Sequence, residues 1–72
     1  MNKKNKIKIV VNGKLLTVNA KFSLKNLIEK LKTPISKVAI ELNEEIVDKK
    51  KLKKIFLKNK DKVEIVHFIG GG

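Results

Sequence analysis

Ile7-Lys8-Ile9-Val10-Val11-Asn12-Gly13-Lys14-Leu15-Leu16-Thr17-Val18 decides how this chain folds. Ile7, Ile9 and Val11 alternate with Lys8 and Val10, and a period of two belongs to a β-strand. Asn12-Gly13 then supplies two residues that tolerate the positive φ of a type I′ turn. Centring a hairpin there pairs Val11 with Lys14, Val10 with Leu15, Ile9 with Leu16 and Ile7 with Val18. Ile7, Ile9, Leu16 and Val18 share one face, and Val10 and Leu15 fall on the other. The register is self-consistent.

Beyond the hairpin the period lengthens. Leu24, Leu27, Ile28 and Leu31 recur at helical spacing and form one apolar stripe. Ser23 is suited to cap the first turn, because its hydroxyl can accept from a free backbone amide. Phe22 before it can pack on Leu27 as a hydrophobic staple. Lys30 and Lys32 suit the negative end of the helix dipole, and Thr33-Pro34 stops the helix. Val38, Ile40 and Leu42 alternate as a third strand, which Asn43-Glu44 turns into a short segment at Glu45-Ile46-Val47. Residues 48–60 read as a lysine-rich loop with one irregular helical turn, anchored by Leu52, Ile55, Phe56 and Leu57. Val63 to Phe68 forms the last strand, and Gly70-Gly71-Gly72 closes the sequence.

One helix across one face of a mixed four- or five-stranded sheet satisfies this order, with the first and last strands central and parallel. The fold class is α+β, of the β-grasp or ubiquitin-like type. A ferredoxin-like fold fits less well, since the sequence offers one good helix. The chain divides into a flexible basic arm (residues 1–6), a single domain (7–69) and a flexible glycine tail (70–72).

The 72 residues suffice for one thin core, since a chain this short buries only about 60% of its unfolded surface. There is no cysteine, so any sulfur chemistry must use sulfur brought by another molecule. One histidine without ligand spacing argues against a metal site. No apolar run is long enough to span a bilayer and no signal-peptide core is present, so a soluble, cytoplasmic protein is expected. The net charge of +11 invites a nucleic-acid reading. Against it, every basic residue is lysine, and neither Tyr nor Trp is available to stack on bases. The joint excess of Lys, Asn and Ile fits A/T-rich codon usage, and steering toward an acidic protein partner is the other reading that stands.

The seven carboxylates fall on outward faces or in turns without an acid–base pair, and His67 has no nucleophile evident beside it. Gly13 belongs to the hairpin, so it marks no phosphate loop. The glycine tail is the exception. Glycine carries the largest entropic cost of ordering, so three at the end of a folded domain call for a reason. Without Cβ atoms a tail can thread a narrow channel and present the α-carboxylate of Gly72, ionised at neutral pH. Such a carboxylate can attack the α-phosphorus of ATP and become an acyl-adenylate open to a sulfur nucleophile.

Several segments resemble the ThiS sulfur carriers of thiamine biosynthesis, and more distantly MoaD and ubiquitin. They are residues 9–14, the Leu27-Ile28-x-x-Leu31 helix, residues 38–47, and above all the closing run from Asp61 to Gly72. The resemblance implies a protein cosubstrate rather than an enzyme, with Gly72 adenylated and then thiocarboxylated, and Gly70 and Gly71 fitting the partner's channel. It implies a ThiF-like adenylating enzyme using ATP and magnesium, a persulfide protein as sulfur donor, and thiazole synthase as acceptor. No bound cofactor, nucleic acid or membrane is implied. MoaD-like molybdopterin synthesis and ubiquitin-like modification are the alternative roles. Lys60 departs from the family's usual Gly before Asp61, and the basic balance is unusual for such carriers.

Alternation along the last strand sends Val63 and Ile65 to the core and Glu64, Val66 and Phe68 outward. With Val10 and Leu15, Val66 and Phe68 are candidates for an exposed apolar docking patch beside the tail. The opposing reading covers Val66 and Phe68 with the chain's own loop, by way of Phe56.

Overall fold

The computed structural model describes residues 5–68. The glycine tail and the first four residues of the expected arm lie outside the described residues. Strand β1 (Lys6–Val11) pairs antiparallel with β2 (Lys14–Asn19) in the expected register, Ile9 opposite Leu16 and Val10 opposite Leu15. Lys6 already stands opposite Asn19, so the sheet begins at the last residue of the expected arm. Helix α1 (Leu24–Lys30) follows, then β3 (Val38–Leu42), β4 (Glu45–Ile46), a 3-10 helix at Lys49–Lys54, and β5 (Lys62–His67). The sheet order is β2-β1-β5-β3-β4, with β1 and β5 parallel at its centre.

Each end of α1 is closed by local chemistry. The Ser23 hydroxyl accepts from the Asn26 amide at 3.0 Å, and the Asn26 side chain accepts from the Ser23 amide at 3.0 Å. This is a reciprocal box in which asparagine stands where glutamate or glutamine is usual. At the other end Lys32 turns to φ +56°. Its amide donates to Glu29 O and the Thr33 amide to Ile28 O, the two bonds of a Schellman closure. The early closure changes one expectation. Leu31 becomes the C-cap, 39% exposed, instead of the last member of the buried stripe.

Leu24, Leu27 and Ile28 of α1 meet Ile9, Val18, Val38, Ile40, Val63 and Ile65 on the inner face of the sheet. Leu52 and Leu57 complete the core from the segment between β4 and β5. That segment is tied to the start of α1, with the Leu24 amide donating to Ile55 O and the Leu57 amide to Phe22 O.

Two asparagines at hairpin turns do more than turn the chain. Asn12 (φ +49°) and Gly13 (φ +82°) make the first turn; Asn43 (φ +51°) and Glu44 (φ +72°) make the second. The Asn12 amide donates to Val63 O as a strand residue would, and the next rung is carried by its side chain. Its side-chain Oδ1 takes over, accepting from the Ile65 amide at 2.7 Å, and Nδ2 donates to Ile65 O at 3.3 Å. Asn43 does the same across the other edge of β5. Its amide donates to Lys62 O, and its Oδ1 accepts from the Lys62 amide at 2.9 Å. Side-chain amides thus extend the ladder on both sides of the last strand.

Lys60, which departs from the family pattern, sits at φ +76° between Asn59 and the Asp61 carboxylate that accepts from the Lys58 amide. The backbone is the one glycine favours, held by a lysine. A left-handed L-residue costs about 1–2 kcal/mol, and glycine's extra unfolded-state entropy returns roughly 0.5–1 kcal/mol of that. Lys60→Gly is therefore expected to stabilise the domain by about 0.5 kcal/mol or more, a rise of roughly 2–4 °C in melting temperature. A fall in thermal melting would show that the lysine side chain contributes more than its backbone costs.

Candidate functional site

The site is built at the exit of β5. This strand is held on one side by β1 and on the other by β3, with Val38 opposite His67, and the Phe68 amide still donates to Lys37 O at 2.9 Å. The segment from 69 to 72, including the candidate residues Gly70, Gly71 and Gly72, follows directly and lies outside the described residues. A central strand gives such a segment a fixed root.

Phe68 is braced from the side by a lysine of the segment between β4 and β5, which the sequence marks only as lysine-rich. Lys49 Nζ donates to Ile35 O at 2.9 Å and Val38 O at 2.6 Å, and lies 5.4 Å from the Phe68 ring centroid. The ammonium so placed ties the 3-10 helix, the 3-10 turn Ile35–Lys37 and the end of β5 together. No spacing signal distinguishes Lys49 from Lys50 or Lys51 in the sequence; only the folded turn does. Lys49→Met is expected to cost about 1.5 kcal/mol, for hydrogen bonds made by a charged donor. It should also speed amide exchange at Phe68 more than at Leu27, with Lys49→Arg restoring part of the loss. Equal exchange at both sites would reduce Lys49 to a general stabiliser.

The outer face of the sheet carries the candidate docking residues. Leu15 is 67% exposed, Val66 50% and Phe68 56%, while Val10 is half-buried. Phe56 does not cover them. It bridges to Ser23 at the start of α1 and is itself exposed. Register separates the four residues into two groups. Val10 pairs with Leu15 on one side and with Lys62 on the other, whereas Val66 pairs with Ala39 four residues further along β5. That is roughly 13 Å at strand spacing. Glu64, opposite Glu41, lies in the row between them. Val66 and Phe68 adjoin the root of the tail; Val10 and Leu15 stand at the far end of the same face. Ile46, 72% exposed and opposite Glu41, extends this face in a way the alternation of β5 did not reveal.

Conventional catalytic equipment is sparse among the described residues. His67 is exposed, and no three His, Asp or Glu side chains there come close enough to hold a metal ion. No helix among them is long and apolar enough to cross a membrane.

One helix on a five-stranded mixed sheet, with the final strand central and leading straight into the terminal segment, defines a β-grasp domain of the ubiquitin-like class. Residues 3–72 match the model of the ThiS family. The chain belongs to that family. The crystal structure of a thiamine biosynthesis protein (ThiS) from Geobacter metallireducens is similar, with a TM-score of 0.79 and 33% identity over 92% of this chain and 100% of that one. Thiazole synthases of Paramagnetospirillum magneticum and Magnetococcus marinus are 39% and 36% identical over 66 residues, 92% of this chain. The chain spans 20% of the length of each. An uncharacterized protein, ycf40, of Porphyra purpurea is 32% identical over 92% of this chain and 93% of its own length.

Proposed function

We propose that this chain is a cytoplasmic sulfur carrier for thiazole formation in thiamine biosynthesis, with the carboxylate of Gly72 as its working group. The chain supplies the reacting acid, and its partners supply the active sites. A ThiF-like enzyme using ATP and magnesium activates the carboxylate, whose oxygen attacks the α-phosphorus and releases pyrophosphate. The terminal sulfur of a protein persulfide then displaces AMP. A second thiol cleaves the resulting S–S bond, becoming part of a disulfide and leaving a thiocarboxylate on Gly72. Thiazole synthase takes the sulfur from there.

The observation that carries this reading is a glycine run that follows the central strand β5 in sequence after Phe68 and Ile69, with Phe68 itself braced by Lys49. Relatives named thiazole synthase that hold a matching segment within a much longer chain support that enzyme as acceptor, ahead of molybdopterin synthesis or protein modification. Val66 and Phe68 are the docking surface nearest the tail, with Val10 and Leu15 as a second contact on the same face.

The test is intact-mass spectrometry after incubation with the adenylating enzyme, ATP, magnesium and a persulfide donor. Exchange of one oxygen for sulfur, localised to Gly72 by fragmentation, is the expected result. Conjugates joined through isopeptide bonds to lysines of other proteins, without any thiocarboxylate, would favour the modifier reading instead.

A further inference from the structure

Opposite the docking face, α1 and the 3-10 helix enclose a groove of about 410 Å³. Its apolar lining is made by Ile28 and Leu52, 4% and 5% exposed, together with the more exposed Ile35. Lysines stand around it. Lys25 is spoken for by Glu29 at 3.6 Å, and Lys49 by the two carbonyls already described. Lys32, Lys50 and Lys53 also line the groove, and none has a carboxylate within ion-pair distance among the described residues. Codon bias explains the number of lysines but not this distribution. Glu29 is the one carboxylate in the lining; Asp48, at the start of the 3-10 helix, accepts from the Lys50 amide at 2.9 Å and Asp61 from the Lys58 amide, whereas Glu41 and Glu64 face outward on the sheet and Glu44 and Glu45 lie at its β4 edge.

We infer that this groove is a second docking site, for a short acidic segment of a partner protein that carries aliphatic anchors. Its apolar lining takes the anchors, and Lys32, Lys50 and Lys53 take flanking carboxylates. Lysine stems add aliphatic wall while their ammonium groups remain at the rim. Charge complementarity selects this occupant. A second copy of a chain with net charge +11 would bring like charge to a positive rim. A single-stranded nucleic acid would find phosphate partners but no aromatic platform among the lining residues. The proposal is independent of the carrier reading, and Leu15, Val66 and Ile46 on the outer sheet face are not in the groove lining.

The test uses the full chain and a fluorescein-labelled twelve-residue peptide of Asp, Glu, Leu and Ile, followed by fluorescence anisotropy and amide chemical-shift mapping. Saturable binding with shifts at Ile28, Ile35 and Leu52, and none at Leu15 or Val66, is expected. Replacing the peptide's Leu and Ile with Ser should weaken binding at least tenfold. Lys32→Glu with Lys53→Glu should do the same, whereas Lys8→Glu with Lys14→Glu, equal in charge but remote on the hairpin, should change it less than threefold. Equal losses in the two double variants, undiminished binding of the Ser peptide, or shifts centred on the sheet face would overturn the proposal. So would an oligothymidine that binds as tightly as the peptide, or decanoate binding where the peptide does not. The mapping on the unaltered chain decides the matter even if a variant folds poorly.

Discussion

A chain extended by one alanine after Gly72 is expected to lose sulfur loading at least about 100-fold while melting at the same temperature. The extension turns the reacting carboxylate into a neutral amide and moves the acid one residue further out, roughly 3.5 Å. Attack on phosphorus requires the oxygen within about 3–3.5 Å of its target in the bound complex, so displacement by a residue length removes the near-attack geometry. The added Cβ also widens a tail that the proposal threads through a narrow channel. A 100-fold loss corresponds to about 2.7 kcal/mol of transition-state stabilisation. Stability should not follow, because the buried core runs from Ile9 to Ile65. Intact mass after a timed reaction, with thermal melting alongside, reads both quantities. Full loading of the extended chain would end the carrier proposal.

Local pattern made much of this fold legible, and the reason lies in sequence distance. The β1–β2 register follows from a two-residue turn, and the Ser23 cap follows from residues next to the helix. Register between strands remote in sequence does not follow from alternation. Alternation places Val10 and Val66 on one face, but only the β1–β5 pairing at Val10 and Lys62 reveals that they stand four residues apart along it. The same limit hid the brace at Lys49, one of three consecutive lysines, and the exposure of Leu31, set by a closure at a lysine where glycine would have signalled it. At the site itself the position is reversed. Gly70, Gly71 and Gly72 are proposed from composition and place in the sequence and lie outside the described residues, while the pairing of the strand that precedes them needed the folded ladder.

That ladder leads to the second large effect. Asn12→Ala is expected to lower the unfolding free energy by about 3 kcal/mol, or some 12–24 °C of melting temperature in a domain of this size. Two bonds to Ile65 are lost, the shorter at 2.7 Å, and the Ile65 amide is left part-buried without its acceptor. Together these cost about 2 kcal/mol. Holding φ +49° without a side chain that tolerates it costs about 1 kcal/mol more. Asn12→Gly separates the contributions. It relieves the backbone but still removes both bonds, so it should cost about 1–2 kcal/mol. Asn12→Asp keeps the 2.7 Å acceptor and loses the 3.3 Å donor, and should be milder than alanine. Urea unfolding of the three variants measures the order directly. If glycine matched the parent, the side-chain ladder would contribute nothing and the turn alone would explain Asn12. If alanine proves the worst, amide exchange should quicken first at Ile65, Val66 and His67, where β5 loses its β1-side partner just before the chain reaches the tail.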